Sequence, residues 1–244
     1  MKVYWPLLVL LIGCTQEVSF GVLSDVHGQC DTAVELAEQF GDVAGIIVAG
    51  DITGESSEDI ERCLNMLTQF NVPIYAIPGN HDIEWNVPDD VVDLSETRYV
   101  DLNGVDIIGN PYGDDFTFAN KATNKEIEEI KKYEANDPVL LVSHQPPKNG
   151  CVDEVYSGEA VGSEVLRDAM QDIKFSVSGH IHEAGGRACT KEGLVVEENI
   201  LSDELLLNPG AVTQWKYLDG TVSNKAAVIT IKGAKAKYRI VELI

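Results

Sequence analysis

The sequence predicts an α/β fold, and two observations carry the prediction. From residue 18 onward, short apolar runs alternate with stretches whose apolar residues recur at helical spacing, the pattern of βαβ units rather than of hairpins alone. The chain also has the make-up of an ordinary globular domain, with 244 residues, 44% hydrophobic and 24% charged. One large domain with a full core is therefore expected, and disorder, collagen and coiled coil are excluded.

Val18 to Ser24 reads as the first strand. Asp31 is placed to cap a helix that keeps Ala33, Val34, Ala37 and Phe40 on one face, and Val43 to Ala49 forms the next strand. Ser57 opens a second helix with Ile60, Cys63, Leu64 and Leu67 on its buried side, followed by a strand from Pro73 to Ile77. Asn103-Gly104, which tolerates positive φ, predicts a tight hairpin between the runs 98–102 and 105–108. Thr123 and Glu126 make a capping box ahead of Ile127 and Ile130. Val139 to Ser143 is a strand, Ser163 to Met170 a helix and Phe175 to Ser178 a strand. The last third carries strand-like runs at 205–207, 226–231 and 235–243 and no strong helix.

Aspartate and glutamate total 40 against 18 lysines and arginines, a net charge of -22. Such a surface repels phosphate backbones and argues against a nucleic-acid partner unless metal ions supply positive charge.

Residues 1–17 stand apart from the domain at 18–244. Lys2 is followed by an apolar core, Trp5 to Ile12, of the size of a signal-peptide h-region, and no apolar run reaches the ~18 residues a membrane helix needs. Leu11-Ile12-Gly13-Cys14 resembles the lipobox of prokaryotic lipoproteins, in which the signal is removed and the cysteine lipidated. An extracytoplasmic lipoprotein anchored through Cys14 is expected, the alternative being a cytoplasmic enzyme in which this run is a buried first strand or reflects an upstream start-codon error. The other cysteines, Cys30, Cys63, Cys151 and Cys189, form no Cys-x-x-Cys pair. They permit two disulfides without requiring them, and free buried thiols are the expected state.

Five short elements stand at strand ends, where α/β folds gather ligands: Asp25-Val26-His27, Gly50-Asp51, Gly79-Asn80-His81-Asp82, Ser143-His144 and Gly179-His180-Ile181-His182. Each alone reads as a turn or as a hydrogen-bonded histidine. Together they take up all five histidines of the chain. Residues i and i+2 of an extended segment share a face, so Asp25 with His27, and His180 with His182, can each point at one metal cluster. Oxygen and imidazole donors without thiolate suit Mn, Fe, Zn or Co, and Asp51 can bridge two ions.

The order and spacing of these elements resemble the calcineurin-like metallophosphoesterases, whose pattern is D-x-H, G-D, G-N-H-D/E, H and G-H-x-H. The resemblance runs from about Asp25 to Gly210. It implies a four-layer α/β/β/α sandwich with two divalent metal ions, manganese foremost and Fe, Zn, Co or Ni as alternatives. One ion would be held by Asp25, His27, Asp51 and His182, and the other by Asp51, Asn80, His144 and His180. It further implies that a metal-bridging hydroxide attacks phosphorus, that His81 is the general acid and that Asp82 orients and charges it. His144-Gln145-Pro146-Pro147 and Asn208-Pro209-Gly210 resemble small prokaryotic phosphoesterases related to cyclic-nucleotide phosphodiesterases. The tyrosine ligand of purple acid phosphatases is missing from Asp51-Ile52-Thr53-Gly54.

The expected partner is a small-molecule phosphomonoester or phosphodiester. The competing functions are a non-catalytic metal-binding scaffold, which the intact motifs disfavour, and a metal-dependent nuclease, which the acidic surface disfavours. Substrate recognition is expected from residues 82–115 and 145–156, with Trp85, Tyr112 and Tyr156 as the aromatic residues able to stack a base or to act as packing plugs. Oligomeric state is left open.

Overall fold

The computed structural model describes residues 17–54, 56, 58–97, 99–111, 113, 130, 138–170 and 172–244. The lipobox-like segment, the capping box at Thr123, Ser57 and Tyr112 lie outside them. Two mixed sheets face one another. The first holds β1 (Glu17–Leu23), β2 (Gly45–Val48), β3 (Ile74–Ala76) and β4 (Val91–Asp93), paired in parallel in that order. On the far side of β1 it continues antiparallel through β12 (Val222–Lys232), which also pairs with β13 (Lys235–Leu243) and β11 (Trp215–Lys216). The second sheet runs β5 (Tyr99–Asp101), β6 (Asp106–Asn110), β7 (Val139–Ser143), β8 (Phe175–Val177), β10 (Leu205–Asn208), β9 (Arg187–Cys189), with β6, β7, β8 and β10 parallel.

Alternation along the strands builds the layers, because successive side chains of a strand point to opposite faces. Val18, Phe20 and Val22 of β1 and Ile47 of β2 point inward and meet Leu140, Val142, Phe175, Leu205 and Leu207 from the second sheet. The opposite face of the first sheet, with Leu23, Ile46 and Val48, is covered by α1 (Cys30–Ala37) and α2 (Glu58–Leu67). On the outer face of the second sheet, Leu141 and Leu206 pack under Leu166 of α3 (Glu164–Ala169). The result is the α/β/β/α sandwich.

Several local expectations change in detail. The helix expected after Asp31 begins at Cys30 with Gln29 at its N-cap, and Asp31 falls in the first turn. Positive φ at His27 (45°) and Gly28 (74°) folds the chain into the helix earlier than the apolar spacing suggests. Ser163 does cap α3, its Oγ accepting from the N–H of Leu166 at 3.0 Å. Asn103 and Gly104, at φ 56° and 79°, form the turn between β5 and β6. The expectation of free thiols is overturned: Cys30 is bonded to Cys63 and Cys151 to Cys189. Each pair comes from segments that run side by side, α1 against α2 in the first case, so the geometry that buries the thiols also brings them together.

Candidate metal centre

Strands β1, β2, β3, β7 and β8 end at the same edge of the sandwich, and each is followed within a few residues by one of the five elements. The chain turns abruptly there. Asp25, His27, Asp51 and His180 have φ of 54°, 45°, 53° and 65°, a left-handed conformation uncommon for residues other than glycine. Backbone strain of this kind persists only where the surroundings over-determine it. Here Asp25, His27 and Gly28 donate their N–H groups to the carbonyls of Gly50, Asp51 and Ile52 at 2.9 to 3.0 Å, so the first two elements hold each other in place. The glycines of the motifs leave room for the ligands: a Cβ on Gly79 would collide with Asp51 Oδ1, and one on Gly179 with Ser24 Oγ.

The candidate ligands converge. Asp25 Oδ1 lies 3.1 Å from His182 Nε2 and 4.0 Å from His144 Nε2. Asp51 Oδ2 lies 3.2 Å from His144 Nε2 and 3.9 Å from His27 Nε2. Asn80 Oδ1 is 3.2 Å from His144 Nε2, and the His180 ring packs 5.2 Å from that of His144. Among the described residues, two sets of donor atoms are close enough to hold an ion, Asp25 with His27 and His182, and Asp25 with Asp51 and His144. Nδ1–H of His144 donates to the Ala49 carbonyl at 2.7 Å, which leaves its Nε2 facing the site.

The electrostatics fit cations at this position. Burial works to raise the Asp25 carboxyl, but the His182, His144 and His27 imidazoles overcome it and hold it well below the usual range. Asp51 is likewise opposed by burial and is lowered by His144 and by the His81 N–H. His144 is pressed downward by burial, yet Asp51 and Asp25 push it up to about 10. Burial, the largest influence on His27, lowers it in spite of those carboxylates, while Asp25 raises His182 against burial. The Nε2 atoms of His27 and His182 face each other at 3.4 Å, an arrangement in which two neutral lone pairs repel unless a proton or a cation lies between them. Two buried carboxylates, converging imidazoles and no sulfur donor are a hard-to-borderline donor set suited to divalent ions.

His81 and Asp82 separate in role. The His81 side chain is 58% exposed at the mouth, with Nε2 4.0 Å from Asp51 Oδ2, and its N–H donates to Asp51 Oδ1 at 2.9 Å. Asp82 is buried, and its carboxylate accepts from the N–H groups of Ile52, Thr53 and Gly79 and from Thr53 Oγ1, at 2.8 to 3.2 Å. The expectation that Asp82 orients the His81 ring is therefore corrected. It ties the loop carrying Asp51 to the loop carrying Asn80, because the N–H groups of Ile52, Thr53 and Gly79 all donate to it.

A cavity of about 530 Å³ opens over these groups. Beside the expected residues it is lined by Glu183, Thr213 and Trp215. Trp85 proves to be a packing residue, its ring against the α1/α2 core and its Nε1–H donating to Asp93 Oδ2 at 2.8 Å.

The family model of calcineurin-like phosphoesterases matches residues 18–184, more than half of the chain. The chain belongs to that family. It is thereby a hydrolase of phosphate esters. The phosphoesterase is 29% identical over 178 residues to the uncharacterized protein MJ1162 of Methanocaldococcus jannaschii, a match covering 66% of this chain and 79% of that one. Among solved structures it is similar to TT1561 of Thermus thermophilus, with a TM-score of 0.55, 12% identity and 89% and 99% of the two chains covered. It is also similar to the purple acid phosphatase PPD1 of yellow lupin, with a TM-score of 0.53, 12% identity and coverage of 92% of this chain and 52% of the other. At these identities the two structures establish the fold alone. Trp215 and Thr213 escape a motif-based search because they lie beyond Gly210, where the recognisable pattern ends. The one sequence signal was an aromatic residue shortly after Asn208-Pro209-Gly210.

Proposed function

We propose that this phosphoesterase uses two divalent metal ions, manganese foremost, to hydrolyse phosphomonoesters or phosphodiesters of small molecules. The observation that carries the proposal is that two donor sets, Asp25 with His27 and His182 and Asp25 with Asp51 and His144, adjoin in one cluster, with Asp51 Oδ2 3.2 Å from His144 Nε2 and 3.9 Å from His27 Nε2 and so within reach of both. Asp25, His27, Asp51 and His182 would hold one ion, and Asp51, Asn80, His144 and His180 the other. Bound together, such ions supply Lewis acidity toward a phosphoryl oxygen and a nucleophile of near-neutral pKa.

The protein's own groups do the rest. The Ala49 carbonyl fixes the His144 tautomer, and the buried Asp82 carboxylate fixes the spacing of the Asp51 and Asn80 loops. His81, exposed at the mouth yet anchored through its own N–H, is the group able to hand a proton to the leaving oxygen. Local cations reconcile an anionic substrate with a protein of net charge -22.

Anchoring through a lipidated Cys14 outside the cytoplasm belongs to the same proposal. The pairing of the four other cysteines into two disulfides supports it, because such bonds persist in oxidising compartments. The functional test is hydrolysis of nitrophenyl phosphate and bis(nitrophenyl) phosphate before and after chelation. Activity abolished by chelator and restored by Mn is expected, and hydrolysis indifferent to chelator would overturn the proposal.

A further inference from the structure

Resting on the phosphoesterase reading above, we propose that Trp215 is a specificity-determining residue that holds a flat aromatic or heterocyclic group of the substrate against the wall of the metal cavity. The substrate class is then an aryl or nucleoside-like phosphoester rather than an alkyl one.

Trp215 is 36% exposed, and the exposed part lines the same cavity as His27, His81 and His182. Its ring meets that of His182 almost perpendicularly, at 88° with centroids 4.5 Å apart. The indole therefore stands directly beside a candidate metal ligand, where a group attached to a phosphoryl bound at that centre could reach it. Large apolar side chains at a polar, histidine-lined mouth lose free energy to water unless something covers them, and a π face accepts any planar ring.

The mount of this tryptophan is stiff, as preorganised recognition requires. N–H groups of Val212 and Thr213 donate to the carbonyls of Ser24 and Asp25, coupling the segment to the first metal-bearing element at 3.0 to 3.1 Å. Trp215 pairs with Ser223 in the sheet, and the carbonyl of the next residue, Lys216, accepts from the Tyr156 hydroxyl. The buried Tyr217 hydroxyl then closes the loop on Ala211 at 3.2 Å. A tryptophan that served only as packing for His182 would need no such exposure at the mouth.

The test measures binding of phenylphosphonate and methylphosphonate, whose P–C bonds are not hydrolysed, to the Mn-loaded protein by calorimetry, with metal content determined in parallel. The native protein should bind the phenyl compound at least ~5-fold more tightly, and Trp215→Ala should erase that preference while methylphosphonate binding and metal content hold. Trp215→Leu, which keeps an apolar partner for His182 without a ring, should behave as Trp215→Ala does. Equal affinities in the native protein, or equal weakening of both ligands with loss of metal in both variants, would overturn the role given to Trp215. Failure of both phosphonates to bind the Mn-loaded native protein would instead strike at the phosphoesterase site itself.

Discussion

His81 and Asp82 are neighbours in sequence with opposite surroundings, and their substitutions should part accordingly. His81→Ala removes an exposed side chain, so thermal stability and metal content should hold while the rate falls ~10²- to 10⁴-fold. The loss should be smaller with a nitrophenolate leaving group than with an alkoxide, because the former needs little protonation; equal losses would contradict proton donation by His81. Asp82→Ala strands three backbone N–H groups, each costing ~1 to 3 kcal/mol when left unsatisfied, so calorimetry should show a lowered melting temperature together with lost metal affinity. His144 adds a pH effect. In the metal-free protein its pKa is raised from 6.5 to about 10, so the stability it contributes is complete below pH 6.5 and is lost as pH rises toward 10. Metal loading, which needs the neutral imidazole, should release protons near pH 7 and remove that dependence, as denaturation at several pH values with and without Mn will show. The candidate ligands were legible in the sequence because the five histidines fall in four of the five motifs and the remaining motif supplies Asp51. The bonding of Asp82 was not, since two of its three backbone donors, Ile52 and Thr53, lie some 30 residues away along the chain and no side-chain pattern marks them.

The secondary-structure elements hold the site through their ends. Cys30–Cys63 joins α1 to α2, the helices that follow the Asp25 and Asp51 motifs, and Cys151–Cys189 joins the segments that follow His144 and His182. Closing loops of 33 and 38 residues is worth ~4 kcal/mol each in the chain-entropy description. Cys30→Ser with Cys63→Ser should therefore lower the melting temperature by on the order of 10 °C and weaken metal binding, and thiol titration of the native protein should find these four cysteines unreactive. Strands β1, β7, β8 and β13 were legible from apolar runs, and the β5/β6 hairpin from Asn103-Gly104. The strands β4, β9 and β11 were not, because two or three residues are too few to show a period and their pairing depends on neighbours distant in sequence.

Over the whole molecule, the first strand sets a direction. Glu17 begins β1 and Asp25 follows its end, so the metal centre lies ~20 Å from the point where residues 15–17 would join the proposed anchor. With a tether that spans at most ~10 Å, an anchored protein would hold the start of β1 near the membrane, a strand's length from the candidate metal centre. Mass spectrometry of the native protein should find a lipid-modified Cys14 as the first residue, whereas an unmodified Met1 terminus in a soluble fraction would contradict anchoring and leave the chemistry as it stands. The sandwich itself was legible through the family pattern, while the pairing of β12 with β1, which joins the two ends of the domain, emerges only from three-dimensional packing. The most direct measurement is metal stoichiometry by mass spectrometry of the native protein and of Asp51→Asn, paired with hydrolysis of bis(nitrophenyl) phosphate. Two divalent ions per native chain, with both occupancy and hydrolysis lost in Asp51→Asn, is the expected result; a native chain that holds fewer than two divalent ions, or an Asp51→Asn protein that keeps two ions and full hydrolysis, would contradict the proposed dinuclear centre.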